Sequence, residues 1–313
     1  MEMRNLGRSG LRVSAIGLGC NNFGGRIDVE ASRVVVHAAL DAGITLFDTA
    51  DVYGERGGSE TALGAILGPR RKDIVLATKF AMPMDDTGAL KGASRRYIMR
   101  AVEDSLRRLK TDWIDLYQQH EPDPLTPIEE TLRALEDLIR AGKVRYVGCS
   151  NFPAWQMVDA VWTARSAGLS GFVSCQDEVS LLVRKHEADL MPAMRAHGLG
   201  LLPYFPLASG LLTGKYRRNA TMPEGARLTK TQRLADRYLT DSNWAITEKL
   251  ADFAEARGNT LLELAFSWLL ARPPVASVIA GATKPEQVHA NVAAGRWALT
   301  AEDFAAIDAI AAG

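Results

Sequence analysis

The chain has 313 residues, 47% of them hydrophobic, with 37 basic side chains against 37 acidic ones. That length and apolar content suit one large α/β domain, and the even charge excludes a nucleic-acid or anionic-membrane surface as an organising feature. The odd count of three cysteines argues for a reducing compartment, MEMRNLGRSG lacks an apolar signal core, and the best apolar run, LLELAFSWLLA, is too short to span a membrane, so a cytoplasmic location is expected.

In chain order, the opening MRNLGRSGLRVS places turn residues between short alternating runs and predicts a small β-hairpin closing one end of the fold. A strand-like run, AIGLG, then leads to a helical pattern over 30–42, ITLFDT to 60–67, and IVLATKF to 95–109. IDLYQQ leads to 127–140, VRYVGCS to 153–165, and FVSCQ to 186–197. LGLLPYF precedes the helical pattern at 261–270, and SVIAGAT the one at 285–293. Gly43 and Gly142 end helices before strands, while Pro127, Pro153 and Pro285 suit first helical turns. Eight strand-then-helix units predict a single α/β domain over 1–313, a (β/α)8 TIM barrel with an N-terminal β-hairpin. A dinucleotide-binding doubly wound sheet is disfavoured, because no G-x-G-x-x-G opens the first helix.

One long insertion, residues 211–244, separates the seventh strand from its helix. Its seven Lys or Arg (Lys215, Arg217, Arg218, Arg227, Lys230, Arg233, Arg237) outnumber three acids (Glu224, Asp236, Asp241). Insertions of this length in compact domains are usually lids or disordered, and a basic one at the rim predicts a flap over phosphates.

Four polar residues of different chemistry end strand-like runs: Asp48 and Tyr53 in LFDTADVYG, Lys79 in VLATKF, and His120 in DLYQQHEPD. Parallel neighbouring strands would collect all four at one edge, where α/β proteins bind ligands. Asp51, also acidic and near Tyr53, lies in the loop and reads as structural. Cys20, Cys149 and Cys175 read as small apolar filling of the rim, since no Cys-His spacing marks a metal site.

The pattern D-x-x-D-x-Y-G at 48–54, Lys79, the histidine of QQHEPD, GCSN at 148–151 and GATKPEQVHAN near the C-terminus together resemble an aldo-keto reductase. GLLTGKY after the seventh strand is most similar to the branch containing potassium-channel β subunits and bacterial general-stress or sugar aldo-keto reductases. The resemblance implies a barrel that binds a nicotinamide cofactor, usually NADPH, and reduces aldehydes or ketones. Hydride delivery to a carbonyl leaves an alkoxide, so a proton donor is needed, and Tyr53 fits that role. A free phenol is a weak acid at neutral pH, and Lys79 beside it is expected to lower its pKa by roughly 1 to 3 units. Asp48 would hold Lys79 charged, and His120 would orient the carbonyl oxygen.

On the cofactor side, the resemblance assigns Ser150, Asn151 and Gln176 to the nicotinamide carboxamide, with Asp48 nearby, and Tyr204 to the ring face. Phe205, Pro206, Leu207, Ser209 and Gly210 would run under the pyrophosphate, with Lys215 and Arg227 reaching in from the flap. Gly281, Thr283, Lys284, Gln287 and Asn291 would take the adenosine end, where Ala290 replaces a frequent family glutamate. Lys284 and Arg227 favour the 2′-phosphate of NADPH, and the altered adenine site admits NADH. Asn21, Asn22, Phe23 and Phe80, just past the first and third strands, are expected to line the substrate mouth with Tyr53 and His120. The expected partner is a small carbonyl substrate, with no nucleic acid, membrane or metal and no signal for oligomeric state. Alternatives are an NAD(P)-linked sugar or alcohol dehydrogenase and a cofactor-sensing partner subunit.

Overall fold

The computed structural model describes residues 1–311. The hairpin is present: β1 (Met3–Asn5) pairs antiparallel with β2 (Arg12–Ser14), with Asn5 opposite Arg12. Its turn passes so close to the barrel that a Cβ on Gly7, at φ +59°, would lie 2.4 Å from the Gly198 carbonyl oxygen, so only glycine fits.

The barrel strands are β3 (Ile16–Gly19), β4 (Leu46–Asp48), β5 (Val75–Phe80), β6 (Ile114–Gln119), β7 (Val144–Ser150), β8 (Ser174–Glu178), β9 (Gly200–Tyr204) and β10 (Val278–Gly281). They are parallel, run in chain order from β3 to β9, and carry β10 beside β3. The ring closes where Leu201 N–H donates to the Pro274 carbonyl and Ala276 N–H to the Leu201 carbonyl, both at 2.9 Å.

Strand side chains alternate between two cores. One parity fills the lumen: Leu46, Ala77, Leu116 and Leu202 pack with Leu6 and Val13 of the hairpin, which plug the floor. Full burial of such a side chain stabilises by about 1.5–3 kcal/mol, which holds the hairpin in place. The other parity (Phe47, Leu76, Phe80, Tyr117, Val147, Cys149, Cys175) faces the helices. Those helices begin with α1 (Val29–Asp41), α2 (Tyr53–Ile66), α3 (Arg95–Leu109), α4 (Ile128–Arg140), α5 (Ala154–Ser166) and α6 (Leu190–His197).

The region after β9 departs from the sequence reading. A tight segment, Ala208–Thr213, is followed by short helices α7 (Arg227–Lys230) and α8 (Gln232–Tyr238), then α9 (Asp241–Glu255) and α10 (Leu261–Leu270). The basic insertion is therefore a helical flap, seated by buried Tyr216, Leu228, Leu234 and Tyr238. After β10 come α11 (Pro285–Ala294) and α12 (Ala301–Ala311). Neither α9 nor α12 was expected; α9 is capped by Thr240, whose side chain accepts from Asn243 N–H, a start signal outside the eightfold repeat. The helix read over 186–197 splits into a single turn, Lys185–Glu187, and α6. No described helix is long and apolar enough to cross a membrane.

Candidate active site

Alternation explains the convergence at the C-terminal mouth of the barrel. Leu46 faces the lumen, so Asp48 does too; the same step of two takes Ala77 to Lys79, Leu116 to Gln118 and on to His120, and Leu202 to Tyr204. Phe80 falls on the opposite parity, fully buried against Tyr117 at 4.8 Å between ring centroids. Phe23 is likewise fully buried in the outer core. Neither phenylalanine borders the cavity, contrary to the mouth position expected of them, whereas Asn21 and Asn22 do border it.

Tyr53 arrives from a loop. The chain just after it makes a left-handed turn: Gly54, Glu55 and Arg56 have φ between 61° and 69°, and Gly57 has φ 118°. Glu55 and Arg56 each bear a penalty of about 1–2 kcal/mol there. Regular helix begins only beyond Gly57, which is why the helical pattern in the sequence starts later than α2. Strain of this kind concentrates where a side chain must be aimed.

Lys79 is fully buried and its ammonium has three neighbours: Asp48 Oδ2 at 2.7 Å, the Thr49 carbonyl at 2.8 Å and the Tyr53 hydroxyl at 3.4 Å. Burial works to depress its pKa, but Asp48 and Tyr53 outweigh that and hold it above the ordinary lysine value, so it is charged. Asp48 Oδ1 accepts from Gln176 Nε2 at 2.8 Å and from Gln118 Nε2 at 3.1 Å. Gln118 was missed in the sequence, although it shares a lumen parity with His120 two residues on.

The expected fall in the Tyr53 pKa is corrected. Burial pushes the phenol above its ordinary value of 10.0; Lys79 pulls against this without reversing it, and Asp48 reinforces the rise. Tyr53 is therefore fully protonated at neutral pH, the form a proton donor needs. The His120 ring meets the Tyr53 ring edge-on at 5.6 Å. Burial, aided by the Lys79 charge, drives the imidazole pKa well below 6.5, so His120 is neutral. Its Nδ1 is buried without a partner. Asp51 also has two buried, unpartnered carboxyl oxygens, and burial together with Glu60 raises its pKa well above the carboxylate range. Its surroundings therefore favour the protonated carboxyl.

Above the four residues, a cavity of about 650 Å³ extends across the barrel mouth. Its near end is bordered by Asn151 and Tyr204, joined by a 2.8 Å hydrogen bond from the Tyr204 hydroxyl, with Ser150 and Gln176 beside them. Asn151, in the left-handed region at φ 59°, also donates to the His120 carbonyl at 2.9 Å. Its floor is the turn after β9, where Phe205, Ala208, Ser209 and Gly210 all have positive φ and the Ser209 hydroxyl is buried without a partner. Its far end is bordered by Gly281, Thr283, Gln287, Ala290 and Asn291, with Gln287 Oε1 accepting from Thr283 N–H at 2.7 Å. Lys284 is exposed at the start of α11 and does not border it.

The carboxylates that border the cavity are confined to Asp48 and the exposed Glu121 next to His120, and the rest of its charge is basic. Lys215, Arg227, Arg233 and Arg26 all border the cavity, and none has a carboxylate within 4.0 Å among the described residues. Burial lowers the pKa of both Lys215 and Arg227, and the Arg26 charge adds to each fall. The Arg227 guanidinium rests over the Phe205 ring at 5.1 Å. Arg26 and Arg233 were not singled out as site residues from sequence; the first lies in the loop after β3, the second in the basic flap. No group of three or more described His, Cys, Asp or Glu residues is placed to hold a metal.

Residues 15–312 match the model of the Aldo/keto reductase family. The chain is 39% identical to "Probable voltage-gated potassium channel subunit beta" of Oryza sativa subsp. japonica, over 94% of this chain and 91% of that protein. It is equally 39% identical to "Uncharacterized oxidoreductase YrpG" of Bacillus subtilis, over 96% and 93%. "L-glyceraldehyde 3-phosphate reductase" of Escherichia coli O157:H7 is 33% identical over 98% of this chain and 92% of that protein.

Proposed function

Since the chain belongs to the aldo/keto reductase family, we propose that it is an NADPH-dependent reductase of small aldehydes, ketones or aldoses, working in the cytoplasm. The family makes it an NAD(P)H-dependent oxidoreductase; the choice of NADPH, the proton donor and the substrate class are the reading offered. The observation that carries it is the set of cations without carboxylate partners, Lys215, Arg227, Arg233 and Arg26, facing a cavity whose other end reaches the buried Asp48–Lys79 pair.

The residues present fit the cofactor. A left-handed backbone turn at 205–210 with an unpartnered Ser209 hydroxyl suits a pyrophosphate. No carboxylate borders the adenosine end, which suits a 2′-phosphate better than a ribose hydroxyl that an acid would hold. Ser150, Asn151 and Gln176 would hold the carboxamide, and Tyr204 the ring. Bound NADPH supplies the hydride for the carbonyl carbon.

The remaining steps belong to the chain. Neutral His120 orients the substrate oxygen by a hydrogen bond, and Tyr53 gives that oxygen its proton as negative charge develops. Lys79 stabilises the phenolate left behind, and Asp48, fixed by Gln118 and Gln176, keeps the ammonium in place. Asn21, Asn22 and Met82 border the space for the rest of the substrate.

Steady-state rates with a panel of aldehydes, ketones and aldoses, run with NADPH and with NADH, test the proposal. Saturable turnover that prefers NADPH is expected. Faster oxidation of alcohols or sugars at neutral pH would favour the dehydrogenase reading. Tight nucleotide binding with no turnover in either direction would favour a partner subunit, as the name of the Oryza sativa relative suggests for that protein.

A further inference from the structure

Glu178 ends β8, in register with Tyr204 and two residues beyond Gln176, yet it does not border the cavity. It is 4% exposed. Both its carboxylate oxygens are engaged by adjacent flap residues: the Tyr238 hydroxyl donates to Oε1 and the Arg237 guanidinium to Oε2. Tyr238 is buried, while half-exposed Arg237 lies over its ring at 5.2 Å. Both residues end α8. The cavity-lining cations Lys215, Arg227 and Arg233 all lie between β9 and this clip.

We propose that Glu178 is the anchor that fixes the basic flap over the cavity, a positioning residue that sets how long the cofactor stays bound. The proposal rests on the cavity being a nucleotide site. Besides the Arg227 guanidinium over the Phe205 ring, three kinds of contact hold the flap. Buried Tyr216, Leu228 and Leu234 hold it down, but apolar contacts are non-directional and do not fix where its cations stand. On the opposite side, Arg26 Nη2 donates to the Gly225 carbonyl at 2.9 Å, a single exposed bond. Glu178 is different because a buried carboxylate is strongly unfavourable without partners, and its partners arrive only when α8 is seated. Two charge-assisted hydrogen bonds then make seating directional. Since Glu178 extends the strand that carries Gln176, the flap is registered to the ring of strand ends where the nicotinamide would lie.

The test uses the full chain with Glu178→Gln, Arg237→Ala and Tyr238→Phe, each singly, and Glu178→Gln combined with Arg237→Ala. Amide hydrogen exchange is read over 214–240 without cofactor, and NADPH dissociation is followed by stopped-flow fluorescence. Glu178→Gln should speed NADPH release about tenfold, the size of one charge-assisted hydrogen bond. Exchange should rise in the flap and stay unchanged in the barrel strands, which a general loss of stability would not produce. The double variant should release NADPH no faster than the faster single one, because both changes break the same contact. Unchanged exchange and release in Glu178→Gln, or additive effects in the double variant, would overturn the anchor. If Glu178→Gln does not fold, Arg237→Ala and Tyr238→Phe ask the same question from the flap side. Should the wild type bind no NADPH, the cofactor reading fails, while the exchange comparison still decides whether Glu178 holds the flap.

Discussion

Lys79 and Asp48, from adjacent strands, face each other at 2.7 Å in the barrel lumen, the lysine with no exposure to solvent and the carboxylate with almost none. Their surroundings are unequal. Asp48 keeps two amide donors, Gln118 and Gln176, if the lysine is lost, whereas Lys79 without Asp48 keeps only the Thr49 carbonyl and the Tyr53 hydroxyl. Breaking a buried pair typically costs about 3–5 kcal/mol. Asp48→Asn should therefore destabilise more than Lys79→Met in urea denaturation; the reverse order would show that the amides do not support the carboxylate.

Tyr53→Phe removes the hydroxyl and leaves the ring against His120. Turnover should fall by about 10²–10⁴, the range of a lost general acid, with NADPH affinity nearly unchanged. Parallel measurement of kcat and Kd checks this, and full activity in the variant would exclude Tyr53 as proton donor.

Lys215→Ala and Arg227→Ala should each weaken NADPH binding about tenfold, the size of one charge-assisted hydrogen bond to phosphate. The wild-type affinity should fall with added salt, and less steeply in the variants, because fewer cations remain to be screened. Fluorescence titrations at two salt concentrations measure both effects; an unchanged Kd would place the phosphates elsewhere.

His120 gives the protein an acid-side weakness. Its folded pKa lies well below 6.5, so the unfolded chain binds more protons once the pH falls beneath that value, and stability declines with acidification. His120→Gln should flatten the stability profile between about pH 6.5 and the acid limit. Unfolding free energies across that range decide it; a slope identical to wild type would mean that the imidazole already charges in the fold.

Asp51 acts in the opposite direction. Its folded pKa is raised well above 3.8, so stability is lost as the pH rises past the unfolded value towards the folded one. Asp51→Asn cannot ionise, and it should be more stable than wild type at pH 8, by about 1.4 kcal/mol for each unit by which folding raises the Asp51 pKa. The difference should shrink towards pH 4, and thermal melts at the two pH values would contradict this if the variant were the weaker at pH 8.

The sequence by itself determined the barrel and its hairpin, because strand period, helix period and the turn residues between them are local properties that tertiary packing had no reason to override. It also determined that Asp48, Lys79, His120, Gln176 and Tyr204 share one end of the lumen, since alternation along parallel strands leaves them no other place. Tertiary structure alone decided what depended on distance and desolvation. Gln118 became the second support of Asp48, and the sign of the Tyr53 shift followed from burial outweighing Lys79. The basic insertion read as a flap over phosphates in sequence; that its cavity-lining cations Lys215, Arg227 and Arg233 lack carboxylate partners while Glu178 clips its far end through Arg237 depends on where the helical flap settles. No local pattern encodes that position.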